Sequence, residues 1–208
     1  MIAAQHLKLL ADYKVVPVIV IEDLEHAEPL AKTLLNNDLP IAEVTLRSPV
    51  ALEAISKMKQ ACPDLLIIAG TVLTPEQADL AIEAGAELVV SPGFNPITMQ
   101  HCIDRGIPII PGVATPSEIE QALRYKIELV KFFPAEANGG VKSLNAISAP
   151  YSSMRFMPTG GISLENISNY LNLASVVCCG GSWMVDKELM RQKDWASIAK
   201  KIQLCRNL

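Results

Sequence analysis

The sequence predicts one α/β domain over residues 1–208, a single-domain (β/α)8 TIM barrel preceded by an N-terminal helix. Three observations lead to this prediction. Short β-rich runs alternate with helical segments eight times along the chain. The runs are apolar on both faces, as in a parallel sheet that is buried on both sides. The connecting segments carry helix start and stop signals, and their spacing leaves no room for a second domain.

The predicted elements follow in order from the amino terminus. Residues 1–14 form an amphipathic pattern that predicts a helix and lacks the features of a signal peptide. The predicted strands come next, at 15–21, 41–47, 65–73, 88–92, 108–111, 129–133, 155–158 and 176–179. Their apolar runs suit buried strands and are too short to span a bilayer, so no membrane association is expected.

Proline-containing joints mark where four of the helices begin. Each joint places a capping side chain before a proline suited to the first helical turn: Ser48-Pro49, Thr74-Pro75, Asn95-Pro96 and Thr115-Pro116. Gln77 and Glu118, three residues after the two threonine caps, complete capping boxes. Gly85 and Gly106 stand where helices should end in a left-handed residue, each just before the next strand.

The competing architecture is a doubly wound open sheet. That fold would place a Gly-x-Gly-x-x-Gly turn after the first strand, but Glu22-Asp23-Leu24-Glu25 stands there instead. The closed barrel is therefore the preferred prediction.

Composition excludes several classes of function. Net charge is −4 and the basic residues are scattered, which argues against a nucleic-acid surface. The cysteines are odd in number and lack paired metal spacing, which predicts reduced thiols in a cytoplasmic protein; they are Cys62, Cys102, Cys178, Cys179 and Cys205. His6, His26 and His101 all lie in predicted helices, so no metal site is expected.

Lys131 is the most informative single residue, because it is a lysine inside the apolar run at 129–133. Burying an ammonium favours the neutral amine, which is the form that attacks a carbonyl carbon to make a Schiff base. The structural alternative is a lysine whose ammonium extends out of the strand end into water.

Side-chain alternation places a carboxylate and a guanidinium near that amine. Glu43, Thr45 and Arg47 share one face of the second strand, and Lys131 and Phe133 share one face of the sixth. In a barrel this face is the interior, where Thr71 and Pro92 also end strands. The alternative is a buried Glu43–Lys131 ion pair with a purely structural role.

Glycine pairs follow the last two predicted strands. They occur in Thr159-Gly160-Gly161 and Gly180-Gly181-Ser182, where bare backbone N–H groups can approach an anion. Phosphate sites of (β/α)8 barrels commonly lie there, although tight turns need glycine for steric reasons too.

These segments resemble the bacterial 2-keto-3-deoxy-6-phosphogluconate (KDPG) aldolases, also called 4-hydroxy-2-oxoglutarate (KHG) aldolases. The resemblance covers nearly the whole chain and rests on Glu43-Val44-Thr45-Leu46-Arg47, Ala69-Gly70-Thr71-Val72-Leu73, Ser91-Pro92-Gly93, Lys131-Phe132-Phe133-Pro134-Ala135-Glu136, Pro158-Thr159-Gly160-Gly161 and Gly180-Gly181-Ser182-Trp183. It implies a homotrimeric class I aldolase of the Entner-Doudoroff pathway, without cofactor or metal. Such an enzyme cleaves KDPG to pyruvate and glyceraldehyde 3-phosphate, and commonly KHG to pyruvate and glyoxylate.

The resemblance also implies a role for each matching residue. Lys131 would form the Schiff base and Glu43 would be the proton acceptor and donor. The substrate-binding residues would be Arg47 and Thr71 for the pyruvyl carboxylate, Pro92 and Phe133 for its carbons, and Thr159, Gly160, Gly161, Gly181 and Ser182 around the distal phosphate.

Departures from the family pattern lie at the pocket rim, in Gly93-Phe94-Asn95-Pro96 and Met184-Val185-Asp186-Lys187. They bear on substrate breadth, and a relative specific for the phosphogalactonate epimer shares much of the pattern. A non-catalytic binder of sugar-acid phosphates would keep the glycines and Arg47 but would not need both Glu43 and Lys131. A metal-dependent aldolase would need a cluster of ligands that the sequence lacks.

Overall fold

The structure, a computed structural model, describes residues 2–205. In that part of the chain all strand pairs are parallel. The strands are β1 (Val15–Ile19), β2 (Ile41–Thr45), β3 (Leu66–Gly70), β4 (Leu88–Val90), β5 (Ile109–Ile110), β6 (Gly112–Val113), β7 (Leu129–Phe132), β8 (Arg155–Phe156) and β9 (Cys179–Gly181).

Helices alternate with most of the strands along the chain. They are α1 (Ala4–Tyr13), α2 (Ala27–Asn36), α3 (Ala51–Ala61), α4 (Pro75–Glu83), α5 (Pro96–Asp104), α6 (Pro116–Arg124), α7 (Gly140–Ser148), α8 (Ile167–Leu171), α9 (Lys187–Arg191) and α10 (Trp195–Cys205), with a 3-10 turn at Leu24–His26. The helix predicted over 1–14 is confirmed as α1; Met1 lies outside the described residues. No helix within residues 2–205 combines the length and apolar character needed to cross a bilayer.

The strands form two parallel sheets that meet at both ends. The larger sheet has the order β5-β4-β3-β2-β1-β9 and the smaller one β6-β7-β8. Pro111 alone separates β5 from β6, and isolated parallel bridges join Thr159 to Gly180 and Phe156 to Val176. The fold is thus α/β and consistent with a TIM-like barrel.

The two faces of the strands line two apolar clusters. Ala42 and Val44 belong to the larger cluster, which lies between strands and helices. Ile41, Ile68 and Leu129 belong to the smaller one, which also contains Leu10 of α1. Because side chains alternate along a strand, the residues in register with Ile41 and Leu129 point inward, as predicted for Glu43 and Lys131.

Seven of the eight predicted strand runs contain an observed strand, but the eighth prediction is wrong in position. The run at 176–179 overlaps β9 only at Cys179, and the strand continues through Gly180 and Gly181. These glycines are needed inside the strand because their neighbours approach closely: a Cβ on Gly180 would lie 2.4 Å from Thr159 Oγ1.

Three of the four predicted helix caps are confirmed, at Thr74, Asn95 and Thr115, and the capping box at Thr115 and Glu118 is complete. Gly85 and Gly106 have the expected positive φ, 106° and 69°.

The predicted helix start at Ser48 is wrong. The helix begins at Ala51, and the Ser48 hydroxyl donates instead to the Ile21 carbonyl at 2.5 Å. The predicted capping box at Gln77 is also wrong, because its side chain accepts from Leu73 N–H rather than from the cap residue.

The five cysteines are buried and carry no disulfide. Burial raises the pKa of Cys102 to about 11 and that of Cys179 to about 12, so these thiols stay protonated at neutral pH. They act as small apolar side chains of the core.

Candidate active site

A buried amine–carboxylate pair lies in the interior of the strands. Lys131 Nζ on β7 donates to Glu43 Oε1 on β2 at 2.9 Å. Glu43 is 0% exposed and Lys131 5% exposed, so Lys131 does not extend into water as the structural alternative would require. Each group is stabilised in the interior by the other.

Gly70 makes room for the Glu43 carboxylate. It pairs with Thr45 at the end of β3, and a Cβ on Gly70 would lie 2.4 Å from Glu43 Oε1. The other oxygen, Glu43 Oε2, is buried and has no hydrogen-bond partner among residues 2–205. A buried acceptor of this kind is costly unless a ligand or a proton satisfies it, which suits a group that exchanges protons with a substrate.

Phe133 adjoins the lysine, and the turn after β8 adjoins Phe133. Lys131 Nζ lies 5.4 Å from the centre of the Phe133 ring. The Phe133–Pro134 peptide is cis, and Gly160 lies against both residues: a Cβ there would be 3.1 Å from Pro134 Cα and 3.3 Å from Phe133 Cε2. Gly160 and Gly161, here called the glycine turn, have φ of 99° and 78°, which favour glycine.

Thr45 brings Arg47 back toward the strand. The Arg47 Nε–H donates to Thr45 Oγ1 at 3.1 Å, while the Thr45 hydroxyl donates to the Ile19 carbonyl at 2.9 Å. Extended backbone separates residues four apart by about 13 Å, so Arg47 must fold back to share a ligand with Glu43. The hydrogen bond from Arg47 Nε to Thr45 holds the arginine side chain partly folded back. It leaves both terminal guanidinium nitrogens available to bind a carboxylate.

Thr71 directly follows β3, which pairs with the strand that carries Glu43. Pro92 follows β4, the next strand of the sheet. Thr71 has φ of 60°, a strained conformation for a β-branched residue, and such strain clusters at functional sites. Pro92 is approached closely by Gly112, where a Cβ would lie 2.1 Å from the Pro92 carbonyl oxygen.

A cavity of about 540 Å³ opens beside the ends of β1, β2 and β9. Its lining includes Val18, Val20, Arg47 and Ser182, and the last two are exposed. The structure thus joins Glu43, Lys131 and Phe133 by direct contact and places Arg47 with Ser182. Among residues 2–205, no hydrogen bond or ion pair connects Arg47, Thr71 or Ser182 to the buried pair.

The rim of this cavity carries an ion-pair cluster. Glu22 accepts from Lys187 and from Arg191, both at 2.9 Å. The hydrogen bond from Lys187 and then that from Arg191 lower the pKa of the Glu22 carboxyl, so it stays ionised. The described chain contains no group of three His, Cys, Asp or Glu side chains arranged to hold a metal ion.

Comparison with known proteins assigns the chain to a family. Residues 7–201 match the family described as KDPG and KHG aldolase. The chain belongs to this family.

Individual relatives agree with this assignment. The chain is 47% identical to the 2-dehydro-3-deoxy-phosphogluconate aldolase of Haemophilus influenzae over 199 residues, which cover 96% of this chain and 94% of that one. It is 46% identical to the KHG/KDPG aldolase of Escherichia coli over 89% of this chain and 87% of that one.

A solved relative provides the structural match. The KDPG aldolase of Legionella pneumophila, captured with pyruvate as a covalent carbinolamine, superimposes with a TM-score of 0.91 at 42% identity. The match covers 97% of this chain and 96% of the other. The family is thus represented by a structure in which pyruvate is bonded to the protein.

Two residues of this candidate site are not identified by sequence reasoning. Gly70 stands in an apolar strand with no turn around it, which is a signal of close approach by another group. Thr45 lies between Glu43 and Arg47 on the same face, where its hydroxyl had no assigned partner. Both signals were readable in the sequence.

Proposed function

We propose that this family member is a class I aldolase that cleaves KDPG to pyruvate and glyceraldehyde 3-phosphate, and KHG to pyruvate and glyoxylate. The observation that carries the proposal is the buried Lys131–Glu43 pair, with Nζ and Oε1 2.9 Å apart. A lysine that is shielded from water and hydrogen-bonded to a carboxylate is the arrangement that Schiff-base chemistry needs.

The reaction follows from these two groups. Lys131 Nζ, as the neutral amine, adds to the keto carbon of the substrate, and Glu43 moves the protons needed to form the carbinolamine and expel water. The resulting iminium accepts the electron pair of the breaking carbon–carbon bond as the aldehyde leaves. Glu43 takes up the proton of the hydroxyl that becomes the aldehyde and returns it to the enamine carbon. Hydrolysis of the iminium then releases pyruvate and regenerates the amine.

The remaining residues bind the two ends of the substrate. In this proposal Arg47 and Thr71 hold the pyruvyl carboxylate, while Pro92 and Phe133 pack against its carbons. The backbone at Thr159, Gly160, Gly161 and Gly181, together with Ser182, surrounds the distal phosphate. Positive φ at the glycine turn, where backbone N–H groups can approach an anion, supports this division.

Thr45 offers a test of the carboxylate end. Replacing Thr45 by valine keeps the shape but removes the acceptor for Arg47 Nε, so we expect the concentration of pyruvate that half-saturates borohydride trapping to rise about 5- to 10-fold. Thr45→Ser keeps the hydroxyl and should stay within about twofold of wild type. Equal effects of the two variants would contradict this role of Thr45.

We further propose a complete eight-stranded barrel over residues 1–208, in which β5 and β6 are one strand interrupted at Pro111. The bridge between Thr159 and Gly180 supports closure between β8 and β9.

The family resemblance supports a homotrimer, for which sedimentation should give three times the chain mass of 22.5 kDa. The five buried free thiols support a cytoplasmic location; a protein recovered from an oxidising compartment with disulfides would contradict it.

The substrate assignment is tested by measuring pyruvate release from three compounds. We expect kcat/KM for KDPG to exceed that for its phosphogalactonate epimer, with KHG cleaved as well. A higher kcat/KM for the epimer would indicate that the chain acts in galactonate metabolism. Tight binding of KDPG without any pyruvate release would instead support a non-catalytic sugar-acid phosphate binder and overturn the proposal.

A further inference from the structure

A hydrogen bond between a buried tyrosine and an exposed glutamate lies behind the glycine turn and takes no part in the reaction proposed above. The hydroxyl of Tyr170 on α8 donates to Oε1 of Glu136. The Tyr170 side chain is fully buried. Burial, and then the hydrogen bond to Glu136, raise the pKa of Tyr170, so its hydroxyl remains a donor throughout the neutral range.

Glu136 contacts the glycine turn through both its backbone and its side chain. The Glu136 N–H donates to the Gly160 carbonyl at 3.0 Å. A Cβ built on Gly161 would lie 2.6 Å from both Cβ and Cγ of Glu136. The aliphatic part of Glu136 therefore lies directly against the Gly161 backbone, and its position sets how far the turn can move toward β7.

The carboxylate end of Glu136 lies beside Gly140, although Glu136 as a whole residue is exposed. A Cβ on Gly140 would lie 3.2 Å from Glu136 Oε1 and 3.5 Å from the Tyr170 hydroxyl oxygen. Gly140 and Gly161 thus flank the Tyr170–Glu136 pair. A shift of the Glu136 stem toward Gly161 must displace the backbone of the glycine turn.

The hydrogen bond also governs where the negative charge lies. A carboxylate free to turn toward the glycine turn would repel an anion bound by the N–H groups there. Donation from Tyr170 holds Glu136 Oε1 on the α8 side. The pair therefore both supports the turn and keeps a charge away from the ligand.

We propose that Tyr170 and Glu136 are positioning residues that hold the glycine turn in the geometry that binds the distal phosphate. They thereby set the preference for phosphorylated over unphosphorylated substrates. This inference rests on the proposed function, because it takes the glycine turn as the phosphate site.

The test separates the phosphate end from the Schiff-base end. Tyr170→Phe removes only the hydroxyl, and Tyr151→Phe removes the same group from a surface pair in which Tyr151 donates to Glu120 at 3.2 Å. Two quantities are measured for each variant: KM for KDPG, and the pyruvate concentration that half-saturates borohydride trapping. Glu136→Met, which keeps a side-chain stem of similar length and removes the acceptor oxygens, is measured in parallel.

We expect Tyr170→Phe to raise KM for KDPG about 5- to 10-fold and to leave half-saturation by pyruvate within about twofold. Tyr151→Phe should change neither. Equal shifts in both quantities, or none in either, would overturn the inference. If Tyr170→Phe does not fold, Glu136→Met decides: a raised KM for KDPG with unaltered pyruvate trapping supports the inference, and any other pattern contradicts it. Absence of trapping in the wild-type protein would instead refute the proposed function.

Discussion

Lys131→Ala is expected to abolish cleavage, lowering kcat/KM by at least about four orders of magnitude. The variant lacks the only group in the buried pair that can form a covalent bond to the keto carbon. It also leaves the Glu43 carboxylate buried without its cation, a change that typically costs about 3–5 kcal/mol of folding free energy. Pyruvate release and thermal unfolding measure the two effects separately.

Lys131→Arg is the matched control for stability. It keeps a cation beside Glu43 but has no amine that can form a Schiff base, so it should be as inactive as the alanine variant and more stable. Substantial pyruvate release by either folded variant would show that Lys131 is not the nucleophile.

Glu43→Gln is expected to slow turnover about 10²- to 10⁴-fold, because the amide cannot accept or return the proton that cleavage requires. The Lys131 amine remains, so borohydride trapping with pyruvate should persist at a reduced rate. Steady-state kinetics and the rate of trapping measure the two outcomes.

Glu28→Gln provides the matched control on the surface. Glu28 accepts from Lys32 at 2.7 Å within α2, a pair of little energetic weight, so neutralising it should leave turnover unchanged. Normal turnover by Glu43→Gln would remove Glu43 from proton transfer, and equal slowing by Glu28→Gln would point to a general charge effect.

Much of the fold could be predicted because local and tertiary signals agree. The caps at Thr74, Asn95 and Thr115 are decided by short-range hydrogen bonds, which the sequence specifies directly. Alternation along β2 and β7 likewise determined that Glu43 and Lys131 face the interior.

The errors arise where a distant residue changes the local preference. The Ser48 hydroxyl is taken by the Ile21 carbonyl, a partner that only the folded strand order brings near. Gly180 and Gly181 were predicted to follow a strand, since glycine usually marks a turn, but Thr159 and Trp183 require them within β9. Such contacts depend on the closure of distant segments and leave no local pattern.

The site, like the fold, is predictable where local patterns decide and unpredictable where distant contacts decide. Period-two alternation is sufficient to place an acid and an amine on inward faces, but not to give the separation of their atoms. The bond from Arg47 to Thr45, the space left by Gly70 and the support of the glycine turn by Glu136 all depend on side-chain conformation. The sequence identifies the reacting groups and carries a signal at Gly70 and Thr45, but it does not specify the contacts that these residues make.

The central claim is that Lys131 forms a Schiff base with a pyruvyl substrate. It is tested most directly by reducing the protein with borohydride in the presence of pyruvate and mapping the modified peptide by mass spectrometry. We expect one adduct per chain, on Lys131, and none when pyruvate is omitted. No adduct in folded protein, or an adduct on a different lysine, would contradict the proposed mechanism and favour a non-catalytic binder of sugar-acid phosphates.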